Sequence, residues 1–120
     1  MRGVSWDLTA EAVLGIEENG VLTKGNVRVD DPEIYKLQAS RLTYLFEDEK
    51  MVSRSFRLPK KAELFSSALV SLFIRYGPPY MTDRKGKYAW WRLEDVNIEL
   101  CITDYVYIIY QKNAPSEDPS

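Results

Sequence analysis

Four basic side chains lie close together in the middle of the chain and could bind an anion. This basic cluster consists of Arg54, Arg57, Lys60 and Lys61. Its two lysines fall where a helix is predicted to begin, a place where positive charge opposes the helix dipole and free backbone N–H groups can bind an anion. The sequence leaves two interpretations open: a small-anion or nucleic-acid site, or the commoner solvent-exposed basic edge.

Aromatic residues are mixed with basic ones in residues 80–91. Trp, Tyr and Arg are favoured at protein interfaces, and aromatic rings with basic charge can also stack on single-stranded nucleic acid. Trp90 and Trp91 are adjacent in a predicted strand, so they point to opposite faces of a sheet, and we expect one of them in the core. The residues predicted for an interface are Tyr80, Tyr88, Trp90, Trp91, Tyr105 and Tyr107.

The residues that many enzymes and metal sites use are scarce. The chain has no histidine and a single cysteine, Cys101, which cannot form a disulfide within the chain. This excludes Ser-His-Asp and Cys-His catalysis and the usual zinc chemistry. Glycine-rich phosphate loops and nucleophile elbows do not occur, and the carboxylates of residues 47–49 lack the spacing of a calcium loop. We therefore expect no enzyme, no catalytic residue, no cofactor and no metal site.

Length and composition predict one globular domain. The chain has 120 residues, of which 45% are hydrophobic and 28% charged, which is ordinary usage for a single folded domain. The predicted domain covers residues 1–112. Residues 113–120 contain two prolines and no apolar anchor beyond Ala114, so we predict a disordered tail there.

Charge and hydropathy narrow the choice of partner. Sixteen basic and eighteen acidic side chains give a net charge of −2, whereas a domain that coats nucleic acid is expected to be strongly basic, so nucleic acid is disfavoured. The apolar stretches are far shorter than the ~20 residues that cross a membrane, which predicts no membrane span. Localisation stays open: cytoplasmic as the chain is written, extracytoplasmic if a signal peptide was removed.

Two predicted helices separate the strands that carry these residues. Residues 9–19 favour a short helix capped by Thr9. The apolar spacing between Lys60 and Tyr76 predicts a longer helix that ends at Gly77, for which we expect a positive φ. Leu72 and Phe73 lie in the apolar stripe of this helix, so we expect both to be buried.

Alternating polar and apolar residues predict the strands. They fall in residues 41–47, 52–58, 88–93, 96–103 and 105–110, and residues 21–29 predict either a tight hairpin or one irregular strand. The connections are short and polar, which favours antiparallel pairing. The predicted fold class is α+β: one antiparallel sheet with two helices on one face, in the order helix-strands-helix-strands.

The final strand, residues 105–110, is apolar on both sides. A strand at the centre of a sheet has this character, and so does an edge strand that pairs with another chain. A central position allows a monomer. An edge position would expose Tyr105, Tyr107 and Ile109, and predicts a homodimer paired through this strand. We favour the homodimer.

Several segments resemble a known group of proteins. They are Gly3–Trp6, Leu42–Lys50, Tyr76–Pro78 and Val96–Leu100, with Thr9, Val13, Trp91 and Tyr110. Together they are similar to small bacterial proteins of unknown function, many secreted or lipid-anchored. Their helix-then-strands order resembles the outer-membrane assembly lipoproteins of the SmpA/OmlA type and the repeats of the β-lactamase inhibitor protein. This resemblance implies a helix-plus-antiparallel-sheet fold and a binding or scaffold role, with no catalytic residues.

These observations favour a non-enzymatic protein-binding or scaffold domain whose protein partner is unknown. The alternative is a small-anion or nucleic-acid binding module that uses the basic cluster at residues 54–61.

Overall fold

A computed structural model of the chain describes residues 3–113. Within these residues there are two helices, α1 (Ala10–Ile16) and α2 (Ala62–Tyr76). The strands are β1 (Gly20–Thr23), β2 (Asn26–Asp30), β3 (Glu33–Ile34), β4 (Leu37–Gln38), β5 (Arg41–Glu47), β6 (Lys50–Leu58), β7 (Met81–Thr82), β8 (Tyr88–Arg92), β9 (Val96–Ile102) and β10 (Val106–Lys112). None of the helices in this part of the chain is long and apolar enough to span a bilayer.

Eight strands form one antiparallel sheet, and the predicted α+β class is confirmed. The strand order is β1-β2-β5-β6-β10-β9-β8-β7, and β3 and β4 form a separate two-stranded hairpin that the sequence did not predict. Each half of the chain contributes one helix followed by four strands of the sheet. The last strands of the two halves, β6 and β10, pair with each other at the centre.

One face of the sheet holds the hydrophobic core. Leu42, Phe56, Ile108 and Leu100 are neighbours in register across β5, β6, β10 and β9, and all four are fully buried. The alternation of apolar and polar residues along each strand places these side chains on the same face. We call it the covered face.

Contacts from both helices reach this covered face. Glu17, which follows α1, accepts a hydrogen bond from the Tyr44 hydroxyl, and the Gly77 carbonyl at the end of α2 accepts one from Trp91 Nε1 at 2.9 Å. Tyr44 and Trp91 lie in one register row of the covered face. The opposite face therefore has no helix over it within residues 3–113, and we call it the open face.

The first helix forms where its cap and apolar residues predict it. The Thr9 side chain accepts a hydrogen bond from the backbone N–H of Ala12 at 3.2 Å, so the predicted cap is confirmed. Val13 is fully buried in the core. A helix of seven residues has little stability alone, so this contact with the sheet is what holds it in place.

In the second helix, the predicted burial of Leu72 is confirmed and the predicted burial of Phe73 is wrong. Ala68 and Leu72, four positions apart, are fully buried, whereas Phe73 is 51% exposed. Because successive helical residues are rotated by about 100°, Phe73 points away from the line that contacts the sheet. Gly77 ends the helix with φ 82°, as predicted.

The final strand lies inside the sheet, so the edge position that would allow a dimer paired through this strand is wrong. β10 pairs with β6 along one edge and with β9 along the other, so its backbone groups have no free edge. Tyr105, Tyr107 and Ile109 are half-buried on or beside the open face. A homodimer stays a prediction, but it cannot form by edge pairing of β10.

The end of the described chain is fastened to the sheet. The backbone N–H of Asn113 donates to the Asp95 carbonyl at 3.0 Å, and its side-chain amide donates to the Leu93 carbonyl at 3.0 Å. Asn113, assigned to the tail by sequence, therefore belongs to the folded part. The rest of the predicted tail, residues 114–120, lies outside the described residues.

Two substitutions on α2 test which side of the helix is core. Leu72→Ala should lower the free energy of unfolding by about 2–5 kcal/mol because it opens a cavity. Phe73→Ala, the neighbouring control, should lower it by less than about 1 kcal/mol because half of that side chain is in solvent. Urea denaturation measures both, and equal losses would contradict this packing.

Candidate functional site

Two rows of side chains cross the open face of the sheet. The alternation that directs Leu42 and Phe56 into the core directs their neighbours outward. In strand order from β2 to β8, the first row contains Asp30, Arg41, Arg57, Tyr107, Cys101 and Tyr88. The second row contains Arg28, Thr43, Ser55, Ile109, Glu99 and Trp90. Arginine and hydroxyl residues thus occupy one half, and aromatic residues the other.

Three arginines form the cationic half of the open face. We call Arg28, Arg41 and Arg57 the arginine triad. The Nε atoms of Arg28 and Arg41 lie 3.5 and 3.7 Å from the Asp30 carboxylate, and the Arg57 guanidinium lies 4.5 Å from the centre of the Tyr105 ring. The Nε atoms of all three arginines are buried without a hydrogen-bond partner.

The aromatic half consists of two pairs of rings. Tyr88 and Trp90 stack with centroids 5.5 Å apart, and Tyr105 and Tyr107 meet edge to face at 6.1 Å. Trp90 Nε1 donates to the Glu99 carboxylate at 3.1 Å. We call the four rings the aromatic quartet, and each is half-buried. A depression of about 240 Å³ adjoins the quartet, with Trp90, Glu99 and Ile109 among its lining residues.

Five of the six predicted interface residues lie on the open face or at its margin. Four of them are the aromatic quartet. Tyr80 is 53% exposed near the edge of the sheet, with the Arg92 guanidinium 4.8 Å from its ring centre. Trp91 is the exception because it is 2% exposed in the core. The adjacent tryptophans do take opposite faces, as their positions in one strand predict.

The predicted basic cluster does not form one site. Arg54 and Arg57 are three positions apart in β6, so they take opposite faces of the sheet. Arg54 is 3% exposed on the covered face, whereas Arg57 lies on the open face. Lys60 and Lys61 are exposed just before α2, outside the sheet. The structure therefore separates the four residues onto three surfaces.

Arg54 has a structural role within the covered face. Its Nη2 donates to the Val4 carbonyl at 2.6 Å, and its guanidinium lies 4.4 Å from the centre of the Trp6 ring. Burial lowers the pKa of Arg54, while Tyr44 and Glu17 oppose that shift. This buried cation ties the segment before α1 to the sheet.

The sequence interpretation missed Arg28 and Arg41. A usable signal was present, because each arginine alternates with residues of the core: Arg28 stands between Val27 and Val29, and Arg41 precedes Leu42. Such alternation predicts an outward side chain. That these arginines meet Arg57 follows from the strand order, which alternation does not reveal.

Cys101 lies on the open face under its aromatic neighbours. It pairs in register with Tyr107 and Tyr88 and is 5% exposed. Burial is the main cause and the neighbouring Glu99 a smaller cause of a pKa of the thiol that is raised to about 12. A thiol of this kind is a poor nucleophile at neutral pH, so Cys101 fits a packing role.

Comparisons with known proteins found no matching family model, no matching curated protein and no matching solved structure. Evidence for a function therefore comes from the geometry of the open face. That geometry combines hydrogen-bond donors, positive charge and partly exposed rings, which is a composition suited to binding.

Cys101 makes the stability of the fold depend on pH in the alkaline range. Its folded pKa of about 12 lies above the ordinary value of 9.0, so the unfolded chain releases the proton first as pH rises. The folded state therefore loses stability between about pH 9 and pH 12. Urea unfolding at pH 8 and pH 10 should show a larger loss for the wild type than for Cys101→Ala. An equal loss in the two proteins would show that the thiol is not buried in this way.

Proposed function

We propose that the protein is a non-enzymatic binding domain that recognises a protein partner through the open face of its sheet. The observation that carries the proposal is the aromatic quartet beside the arginine triad on a sheet face that no other element of residues 3–113 covers. Buried faces of antiparallel sheets are apolar and solvated faces are usually polar. Four rings on the uncovered face depart from that pattern and match the composition of interface anchors.

The dimensions of the open face support a protein partner. Eight strands spaced about 4.8 Å apart give a width of about 34 Å, and a mean strand length of about six residues gives about 19 Å. The resulting area, about 650 Å², is of the same order as the ~800 Å² that each partner contributes to a standard interface. A small anion would use only a fraction of it.

The separation of Arg54 from Arg57 weighs against the alternative, an anion or nucleic-acid module at residues 54–61. A site built on that cluster would have to do without Arg54, which is buried. The resemblance to the lipoproteins and to the inhibitor repeats stays a prediction. Its implied binding or scaffold role agrees with the proposed function.

Affinity capture from the native cells, with two matched variants, tests the proposal. The open-face variant is Trp90→Thr with Tyr107→Thr, because threonine keeps strand propensity and removes the rings. The control variant is Phe73→Ala with Ile74→Ala, which removes two exposed apolar side chains from α2. Circular dichroism and thermal melting first establish that both variants fold.

A protein retained by the wild type and the control variant should be lost from the open-face variant. Buried aromatic anchors typically contribute 2 kcal/mol or more to binding, roughly a thirtyfold change in affinity or greater. Retention by the open-face variant, with loss from the α2 variant, would move the binding surface to the helix and reject the proposal.

A further inference from the structure

The arginine triad places like charges opposite one another in the sheet. Arg41 and Arg57 are direct register partners on β5 and β6, and like charges directly opposite one another are destabilising. Arg28 adds a third guanidinium one strand further out. Residues that oppose folding and are only partly compensated by their contacts are typical of functional sites.

The charge of the triad is not neutralised within the described residues. Asp30 is their one carboxylate at ion-pair distance from the triad, and it contacts Arg28 and Arg41. Three guanidiniums against one carboxylate leave a local charge of about +2. The three buried Nε donors without hydrogen-bond partners add unsatisfied capacity, since a buried polar group is normally paired. The site is therefore complementary to an anionic group.

The distribution of charge over the open face distinguishes between anionic partners. The triad spans three neighbouring strands, about 10 Å, which suits the carboxylates of one short peptide segment. Beyond β6 the two rows of the face carry the rings of the aromatic quartet other than Tyr105, and the acidic Glu99. A nucleic-acid backbone that continued over the face would meet that carboxylate and a chain of net charge −2, whereas a peptide can place apolar side chains there.

We infer that the arginine triad binds the carboxylate side chains of an acidic segment of the partner protein, while apolar side chains of the same segment pack on the aromatic quartet. This inference rests on the proposed function and names the chemistry of the partner. Arginine donors arranged side by side match carboxylates in a bidentate geometry.

A synthetic peptide of glutamate and phenylalanine, Glu-Glu-Phe-Glu-Glu-Phe-Glu-Glu, tests this inference without knowledge of the partner. A control peptide has glutamine in place of every glutamate. Titrations monitored by the NMR signals of the arginine Nε–H groups and of the Trp90 indole give both the affinity and the location. The glutamate peptide should shift the signals of the triad and of Trp90, and bind at least tenfold more tightly than the glutamine peptide.

Two double variants with equal changes in charge locate the interaction. Arg28→Gln with Arg41→Gln should weaken binding of the glutamate peptide at least tenfold. Lys60→Gln with Lys61→Gln, which removes the same charge from the basic residues before α2, should leave the affinity within twofold. Removal of like charges should not unfold the first variant, and its thermal melting checks this.

Three results would overturn the inference. The first is the absence of any shift at the triad on addition of the glutamate peptide. The second is an equal loss of affinity in both double variants, which would indicate long-range charge alone. The third is tighter binding of a twelve-nucleotide oligo(dT) than of the glutamate peptide at the triad, which would make the ligand a nucleic acid.

The same variants separate this inference from the proposed function. In one outcome, the Arg28→Gln with Arg41→Gln variant retains the captured partner as well as the wild type does, and the Trp90→Thr with Tyr107→Thr variant loses it. The inference of an acidic segment is then wrong, while the open face is still the binding surface. If both variants retain the partner, the proposed function fails too.

Discussion

The pairing of β6 with β10 holds together the two halves of the sheet and fixes both of its faces. Phe56 opposite Ile108 fills the core, and in the adjacent register pair Arg57 stands opposite Tyr107 on the open face. A slip of one residue would exchange the two sets, because side chains alternate between faces. The hydrophobic side chains that require burial therefore also determine which arginines and rings lie on the open face.

Polar side chains on the covered face have hydrogen-bond partners, whereas the Nε donors of the arginine triad on the open face do not. Arg54 donates to the Val4 carbonyl and lies against the Trp6 ring, and the buried Tyr110 hydroxyl hydrogen-bonds with Tyr35 of the β3–β4 hairpin. Such contacts connect peripheral segments to the sheet. The triad on the other face has its charge and its Nε donors incompletely paired. Arg54 and Arg57 lie three positions apart in one strand, so they take opposite faces of the sheet and have different surroundings.

The sequence predicts the elements better than the site. Periodicity predicts both helices and most strands, since Thr9, Leu72 and Gly77 act through local rules of capping, burial and helix termination. It does not predict the central position of β10, because strand order depends on contacts between distant residues. For the same reason, the basic cluster was drawn from neighbours in sequence, whereas Arg28, Arg41 and Arg57 meet only after three strands pair.

Hydroxyl-radical footprinting read residue by residue with mass spectrometry tests most directly that the sheet has one covered and one open face. Trp90 and Trp91 share their sequence surroundings but lie on opposite faces, with Trp91 only 2% exposed. We predict that Trp90 and Tyr107 are oxidised several times faster than Trp91 and Tyr110 in the isolated protein. Oxidation of Trp91 at the rate of Trp90, or equal protection of both, would contradict it.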